Sequence, residues 1–197
     1  MGKGIQTRRN IIEKSLQLFS VKGYFNTSVS DILNATALTK GGLYGHFASK
    51  EDIWFAVYDT AVLIWKGIVF RGIRSNSDPL QRIEIFIEND MNNYLGTDVF
   101  DGGCFFLNML VELSGQSTSM SKHILRGFVR LSGLLHTWLE EATQKDMLQD
   151  DLDLKQIANF IVISLNGAAA LYISSRDRSV LNQTILQLRF YIQNLKK

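Results

Sequence analysis

Residues 28–54 read SVSDILNATALTKGGLYGHFASKEDIW. Ser28-Val29-Ser30-Asp31 places a hydroxyl three residues before an acid, the pattern that satisfies free N–H groups at a helix start. Ala35–Leu38 then breaks the helical pattern, and Thr39 stands where a second short helix, carrying Gly41 to Phe47, needs its cap. Ser49-Lys50-Glu51-Asp52 repeats the capping pattern and opens a long helix ending near Arg74. Two short helices across a tight turn, packed on a longer one, form a helix-turn-helix, whose second helix enters the major groove of duplex DNA. Ile32, Leu33, Leu38, Leu43 and Phe47 are expected to share a small core with Leu16 and Phe19. The side chains left outside, Thr39, Lys40, Tyr44 and His46, are hydrogen-bonding types. Lys50 falls at a helix N-terminus, where unpaired N–H groups and the positive dipole end favour phosphate.

Working outward, the helical period continues in both directions. Ile11, Ile12, Ser15, Leu16, Leu18 and Phe19 recur at helical spacing over Gln6–Val21, and Lys22-Gly23 ends that helix. Downstream, Ser75 to Pro79 is the clearest break, with Asp78 as cap and Pro79 at the first helical position. Further helices are expected over 79–95, 103–115, 118–146, 153–176 and 179–195. The reading is all-α, with about nine helices. A three-helix DNA-binding domain (1–50) precedes a larger helical ligand-binding and dimerisation domain (51–197).

Charge agrees with that division. The chain has 197 residues and a formal net charge of +2. Lys3, Arg8, Arg9, Lys14, Lys22, Lys40 and Lys50 against Glu13 and Asp31 give residues 1–50 a net +5, which leaves −3 for the rest. A basic end on an acidic remainder is the asymmetry expected where one end meets phosphate. Hydrophobic residues make up 46%, ample for a packed core. The lone Cys104 permits no intramolecular disulfide. MGKGIQTRRN opens no signal peptide, and the apolar runs Ile53–Phe70 and Phe160–Ile173 read as buried helices. The expectation is a cytoplasmic protein without a membrane segment.

The order Leu43-Tyr44-Gly45-His46-Phe47 followed by Ser49-Lys50-Glu51 carries more. With Phe19, Gly23 and the Ser28-to-Ile32 entry, residues 8–54 resemble the DNA-binding domain of the TetR family of bacterial transcriptional regulators. The resemblance implies a homodimeric repressor that leaves a near-palindromic operator when a small molecule binds its larger domain. It also implies roles. Tyr44, His46 and Lys50 match phosphate-contacting positions, Lys40 and Gly42 match positions that reach base edges, Thr39 is a cap that also meets phosphate, and Ser28 and Ser30 match positions that touch backbone or a base edge. Gly41, Gly42 and Gly45 depart from the pattern. Each weakens the helix by about 1 kcal/mol relative to alanine, and together they leave Lys40 as the main base-reading side chain.

In the remainder, the resemblance implies a dimer interface and a ligand pocket. Phe160, Ser164, Gly167, Ala168, Leu171, Leu181, Ile185, Leu188 and Ile192 lie on broad apolar faces of the last two helices, suited to a four-helix interface. The other reading of those faces is intramolecular core. Trp65, Phe86, Tyr94, Cys104, Phe105, Met109, Phe128 and Trp138 are the candidate lining of a pocket for an apolar or aromatic inducer. Cys104, after two glycines at a helix start, is a candidate thiolate sensor of oxidants or electrophiles, or else a small buried residue. An activator, or a regulator answering to a protein partner, is the alternative function. An all-helical enzyme is remote, because no acid, base or nucleophile set converges. His46, His123 and His136 show no metal-ligand spacing with one another or with Cys104, and no cofactor is expected.

Overall fold

The computed structural model describes residues 2–197, which form nine α-helices and one π-helix. The head comprises α1 (Lys3–Lys22), α2 (Val29–Thr36) and α3 (Lys40–Tyr44), and α4 (Lys50–Val69) runs from it into the larger domain. Ile11, Phe19 and Ile32 are completely buried there, joined by Leu43 and Phe47, while Leu33 and Leu38 are half-buried at the edge. The Ser28 capping box forms as its sequence implies, whereas at Ser49 only one arm forms, the Asp52 N–H donating to Ser49 Oγ.

The larger domain adds α5 (Pro79–Glu88), a π-helix (Asn89–Leu95), α6 (Phe105–Leu113), α7 (Thr118–Gln144), α8 (Leu154–Ser175) and α9 (Arg178–Gln193). Asp78 Oδ1 accepts from the Leu80 and Gln81 N–H groups, and Pro79 begins α5. Helix α7 packs on α5, α6 and α8, and α9 closes against α8 and α5. Arg82 on α5 pairs with Glu141 on α7 at 2.6 Å, and Arg189 on α9 with Glu88 on α5 at 2.5 Å. Helix α8 is long and apolar enough to cross a membrane, with mean hydropathy 1.6. In this fold Ile157, Ala158, Ile161, Leu165, Ala169 and Tyr172 bury one side of it within the bundle.

Four elements differ from the sequence reading: α3 ends at Tyr44 instead of Phe47, α4 ends at Val69 instead of near Arg74, and two others change more. The helix expected over 79–95 changes at Glu88 into a π-helix. Asn89 Nδ2 donates to the carbonyls of Val69 (3.1 Å), the last residue of α4, and Arg71 (2.9 Å) just beyond it, and the Gly96 N–H reaches back to Met91 O. The extra residue per turn lets Asn89, Asp90 and Met91 all turn inward, which one α-helical stripe cannot do. Helix α6 starts two residues late because Gly103 takes φ +89° against Ile173 of α8. There a side chain would overlap Ile173 as well as strain the backbone.

Candidate nucleic-acid interface

The reading head is assembled by caps and a few long-range ties. Ser28 Oγ accepts the Asp31 N–H at 3.0 Å, and Asp31 Oδ2 accepts the Ser28 N–H and O–H at 2.8 and 2.7 Å. Lys22 pairs with the other Asp31 oxygen at 3.0 Å. The hydrogen bonds from Ser28, followed by that from Lys22, pull the Asp31 carboxyl down to about 2. The turn rests on Ala37, held left-handed at φ 54° while Leu38 N–H bonds to Leu33 O. An L-residue in that region costs on the order of 1 kcal/mol, offset here by burial of Leu43 and Phe47. Thr39 Oγ1 then accepts the Gly42 N–H at 3.2 Å and starts α3.

The residues expected to meet DNA separate into exposed and engaged groups. Ser30, Thr39, Lys40 and Tyr44 are exposed, with 47% of Tyr44 open to solvent. Gly42 and His46 are half-buried. Ser28 is exposed, but its hydroxyl is already committed to the capping box. Gly41 is fully open, so nothing in the subunit's packing requires a glycine there.

The Lys50 ammonium, expected to meet phosphate, is engaged within the subunit. Lys50 Nζ donates to the carbonyls of Tyr24 and Thr27, both at 2.9 Å, and lies 4.1 Å over the Tyr24 ring. Burial holds its pKa below the usual lysine value, with Glu112 opposing the shift. Lys50 therefore bolts the start of α4 to the α1–α2 loop. Two further ties carried no signal in the sequence. Arg8 lies 4.0 Å over the Phe47 ring and donates to His46 O at 2.9 Å, bracing the end of α3 against α1. Glu112, on α6 in the other domain, accepts the N–H groups of Tyr24 and Phe25 at 2.9 and 2.8 Å. Gly23 takes φ +82° beside it, and a Cβ there would come within 2.7 Å of the Glu112 carboxylate. The glycine that ends α1 thus also makes room for the contact between the domains.

The candidate pocket residues lie in or against the hydrophobic core of the larger domain. Phe86, Tyr94, Phe105, Met109 and Trp138 are buried, and Trp65 and Phe128 are half-buried. Trp65 meets Phe86 edge-on at 6.0 Å, and Met109 Sδ accepts from Trp54 Nε1 at 3.4 Å. An open groove of about 410 Å³ lies elsewhere, beside Arg8, His46, Asp52 and Asp59. Of the two readings of Cys104, its placement supports the small buried residue. It is buried, 3.8 Å from Tyr94 Oη, and burial pushes its thiol up to about 11. That outweighs the N–H groups at the start of α6. Asp90, absent from the sequence-derived set, lies in the same core and accepts the Trp65 Nε1–H bond at 2.9 Å.

The expected interface residues also divide. Leu181, Ile185, Leu188 and Ile192 are buried inside the subunit, which corrects their assignment to a dimer face. Their i, i+4, i+7, i+11 stripe is the one α9 turns toward α5 and α8. Ala168 is likewise internal and Ser164 half-buried. Phe160, Gly167 and Leu171 face outward with Ile163 on α8, and on α9 the outward apolar residues are Leu186 and Phe190.

A capped helix-turn-helix with an exposed, basic second helix, coupled by hydrogen bonds to a larger helical domain, defines a DNA-binding transcriptional regulator. Comparison with known proteins gives the family. Residues 11–57 match the profile of "Bacterial regulatory proteins, tetR family", and residues 79–188 match "Tetracyclin repressor-like, C-terminal domain". The chain belongs to the TetR family of transcriptional regulators. It is similar to the transcriptional repressor DhaR of Mycobacterium sp. strain GP1, 28% identical over 180 residues, covering 89% of this chain and 87% of that protein. An uncharacterised regulator from the lacX 3′ region of Lactococcus lactis is also 28% identical, over 176 residues, with the same coverage. Among solved structures, a TetR-family regulator from Cytophaga hutchinsonii superposes with TM-score 0.88 at 25% identity, covering 100% of this chain and 98% of that one. One from Chloroflexus aurantiacus superposes with TM-score 0.89 at 26% identity and the same coverage.

Proposed function

We propose that the protein is a cytoplasmic homodimeric repressor that leaves a near-palindromic operator when a small molecule enters its larger domain. The observation that carries the DNA-binding half is the exposed set Lys40, Tyr44, Thr39 and Ser30 on a head held rigid by Arg8 and Lys50. Lys40 reads base edges, with Gly42 leaving room for close approach. Tyr44, His46, Thr39 and Ser30 hold phosphates and fix register. Repression is supported by the names of two relatives: DhaR, a repressor, and the negative regulator IcaR of Staphylococcus epidermidis, 24% identical over 155 residues.

Dimerisation is supported by the apolar row Phe160, Ile163, Gly167 and Leu171 on α8 and by Leu186 and Phe190 on α9, all facing solvent in one subunit. Pairing them across a two-fold axis buries them and sets two α3 helices into successive major grooves about 34–36 Å apart. The functional division falls near residue 50. Helix α4, which starts in the head and ends beside the π-helix, carries the signal, and Glu112 supplies a second link from α6 to the α1–α2 loop. A ligand that binds the released arrangement more tightly than the DNA-bound one lowers operator affinity by that difference.

The test is selection of sites from a random duplex pool with the purified protein, with Lys40→Ala, and with Tyr44→Phe/His46→Ala. The expected outcome is an inverted repeat whose half-site preference relaxes with Lys40→Ala, and uniformly weaker binding with unchanged preference in the double variant. Absence of any enriched repeat at moderate salt refutes the reading.

A further inference from the structure

Asp90 is placed where a carboxylate is costly, and nothing in DNA binding uses it. It sits in the π-helix with 9% of its surface exposed. Among the described residues its hydrogen-bond partner is Trp65 Nε1 at 2.9 Å, a neutral donor on α4. Burial raises its pKa to about 6, and that indole bond is what opposes the shift. A buried carboxylate without a cation carries a desolvation penalty that an apolar residue of similar size does not. The surroundings are aromatic. The Trp65 ring meets the edges of Phe70, Phe86 and Phe106 at 5.9, 6.0 and 6.0 Å. Tyr94, one turn along the π-helix, is close enough for the Asp90 charge to raise its phenol pKa. Trp65 itself is partly exposed.

A carboxylate set among aromatic rings is the donor set for an organic ammonium ion. The carboxylate takes N–H bonds and charge, and the rings take the apolar body and the cation's field. An anionic ligand would be repelled, and a neutral one would leave the carboxylate uncompensated. We propose that Asp90 receives the ammonium group of an amine-bearing aromatic ligand, which displaces the Trp65 indole from it. That exchange breaks one of the hydrogen bonds holding the π-helix to the C-terminal part of α4. The site is thereby connected to the head through the helix that the proposed inducer release requires, so the assignment rests on that reading for its regulatory meaning.

The test uses calorimetric titration of the full-length protein with phenylalkylamines of one to six methylenes and with the matching phenylalkanols, at pH 7.5. The wild type is expected to bind at least one amine about 10-fold or more tightly than its alcohol, and Asp90→Asn to bring the pair within about 2-fold. Trp65→Phe, which removes the competing donor, should tighten the amine and keep the preference. Operator binding by both variants shows that they are folded. The assignment is overturned if no amine outcompetes its alcohol, or if the preference persists in Asp90→Asn. An Asp90-dependent amine that leaves operator affinity unchanged upholds the site and sinks the inducer-release reading. A ligand of another class that releases the operator, while no amine binds, does the reverse.

Discussion

Replacing Glu112 with alanine probes the tie between the two domains. The carboxylate accepts two backbone N–H bonds, from Tyr24 at 2.9 Å and Phe25 at 2.8 Å, on the loop that leads into α2. Hydrogen bonds to a charged acceptor contribute about 1.5–3 kcal/mol each when sheltered. Here Phe25 is exposed and Tyr24 half-buried, so water replaces part of what is lost and the pair should be worth about 2 kcal/mol. For a chain of this size that lowers the melting temperature by about 4–8 °C. Glu112→Gln keeps the volume and one acceptor oxygen and should lose roughly half as much. Gly23→Ala should cost a similar amount, because a Cβ at φ +82° both strains the backbone and displaces the carboxylate. Since both changes break one contact, the double variant should fall short of the sum. The assay is urea denaturation at fixed protein concentration, with operator binding by fluorescence anisotropy over a salt series. Affinity should drop several-fold while its salt dependence stays constant, because no phosphate contact is removed. A Glu112→Ala protein within about 0.5 kcal/mol of wild type, with unaltered operator affinity, would show that this contact does not hold the head.

The other predictions concern the larger domain. Phe190→Glu, on the outward side of α9, should shift the protein to monomers in sedimentation velocity while leaving its helical content intact; a variant that sediments like wild type removes this face from the interface. Leu181→Glu, on the opposite side of the same helix and 2% exposed, should instead fail to fold, as judged by circular dichroism. The Asp90 carboxyl titrates near 6 in the folded chain and near 3.9 when unfolded, so its burial destabilises the protein above pH 6 and the penalty fades as the pH falls toward 4. Asp90→Asn should therefore be the more stable form at pH 7.5, by at most about 3 kcal/mol, with an advantage that shrinks at pH 5; a constant difference in denaturation midpoints refutes this. With its thiol pushed up to about 11, Cys104 should react with an aromatic disulfide reagent on the order of 10²-fold slower in the native than in the unfolded protein, and equal rates would restore it as a sensor.

Sequence alone determined the helices and the head because the signals there are local. A serine before an acid, a threonine before two glycines, and a proline after an aspartate each act within one turn of backbone. The caps at Ser28, Thr39, Asp78, Asp153 and Asp177 accordingly accept N–H bonds where helices start. Period 3.6 located the apolar stripes but not their partners. On α9 the stripe of Leu181, Ile185, Leu188 and Ile192 suits a subunit core and a dimer interface equally, and only packing against α5 and α8 assigned it to the core. Tertiary structure alone also decided which charges are engaged. Lys50 is committed to two carbonyls 23 and 26 residues away, Glu112 to two N–H groups 87 and 88 residues away, and Asp90 to an indole 25 residues away. Hydrogen bonds across such separations depend on where the chain returns in space, and the sequence near each residue carries no trace of it.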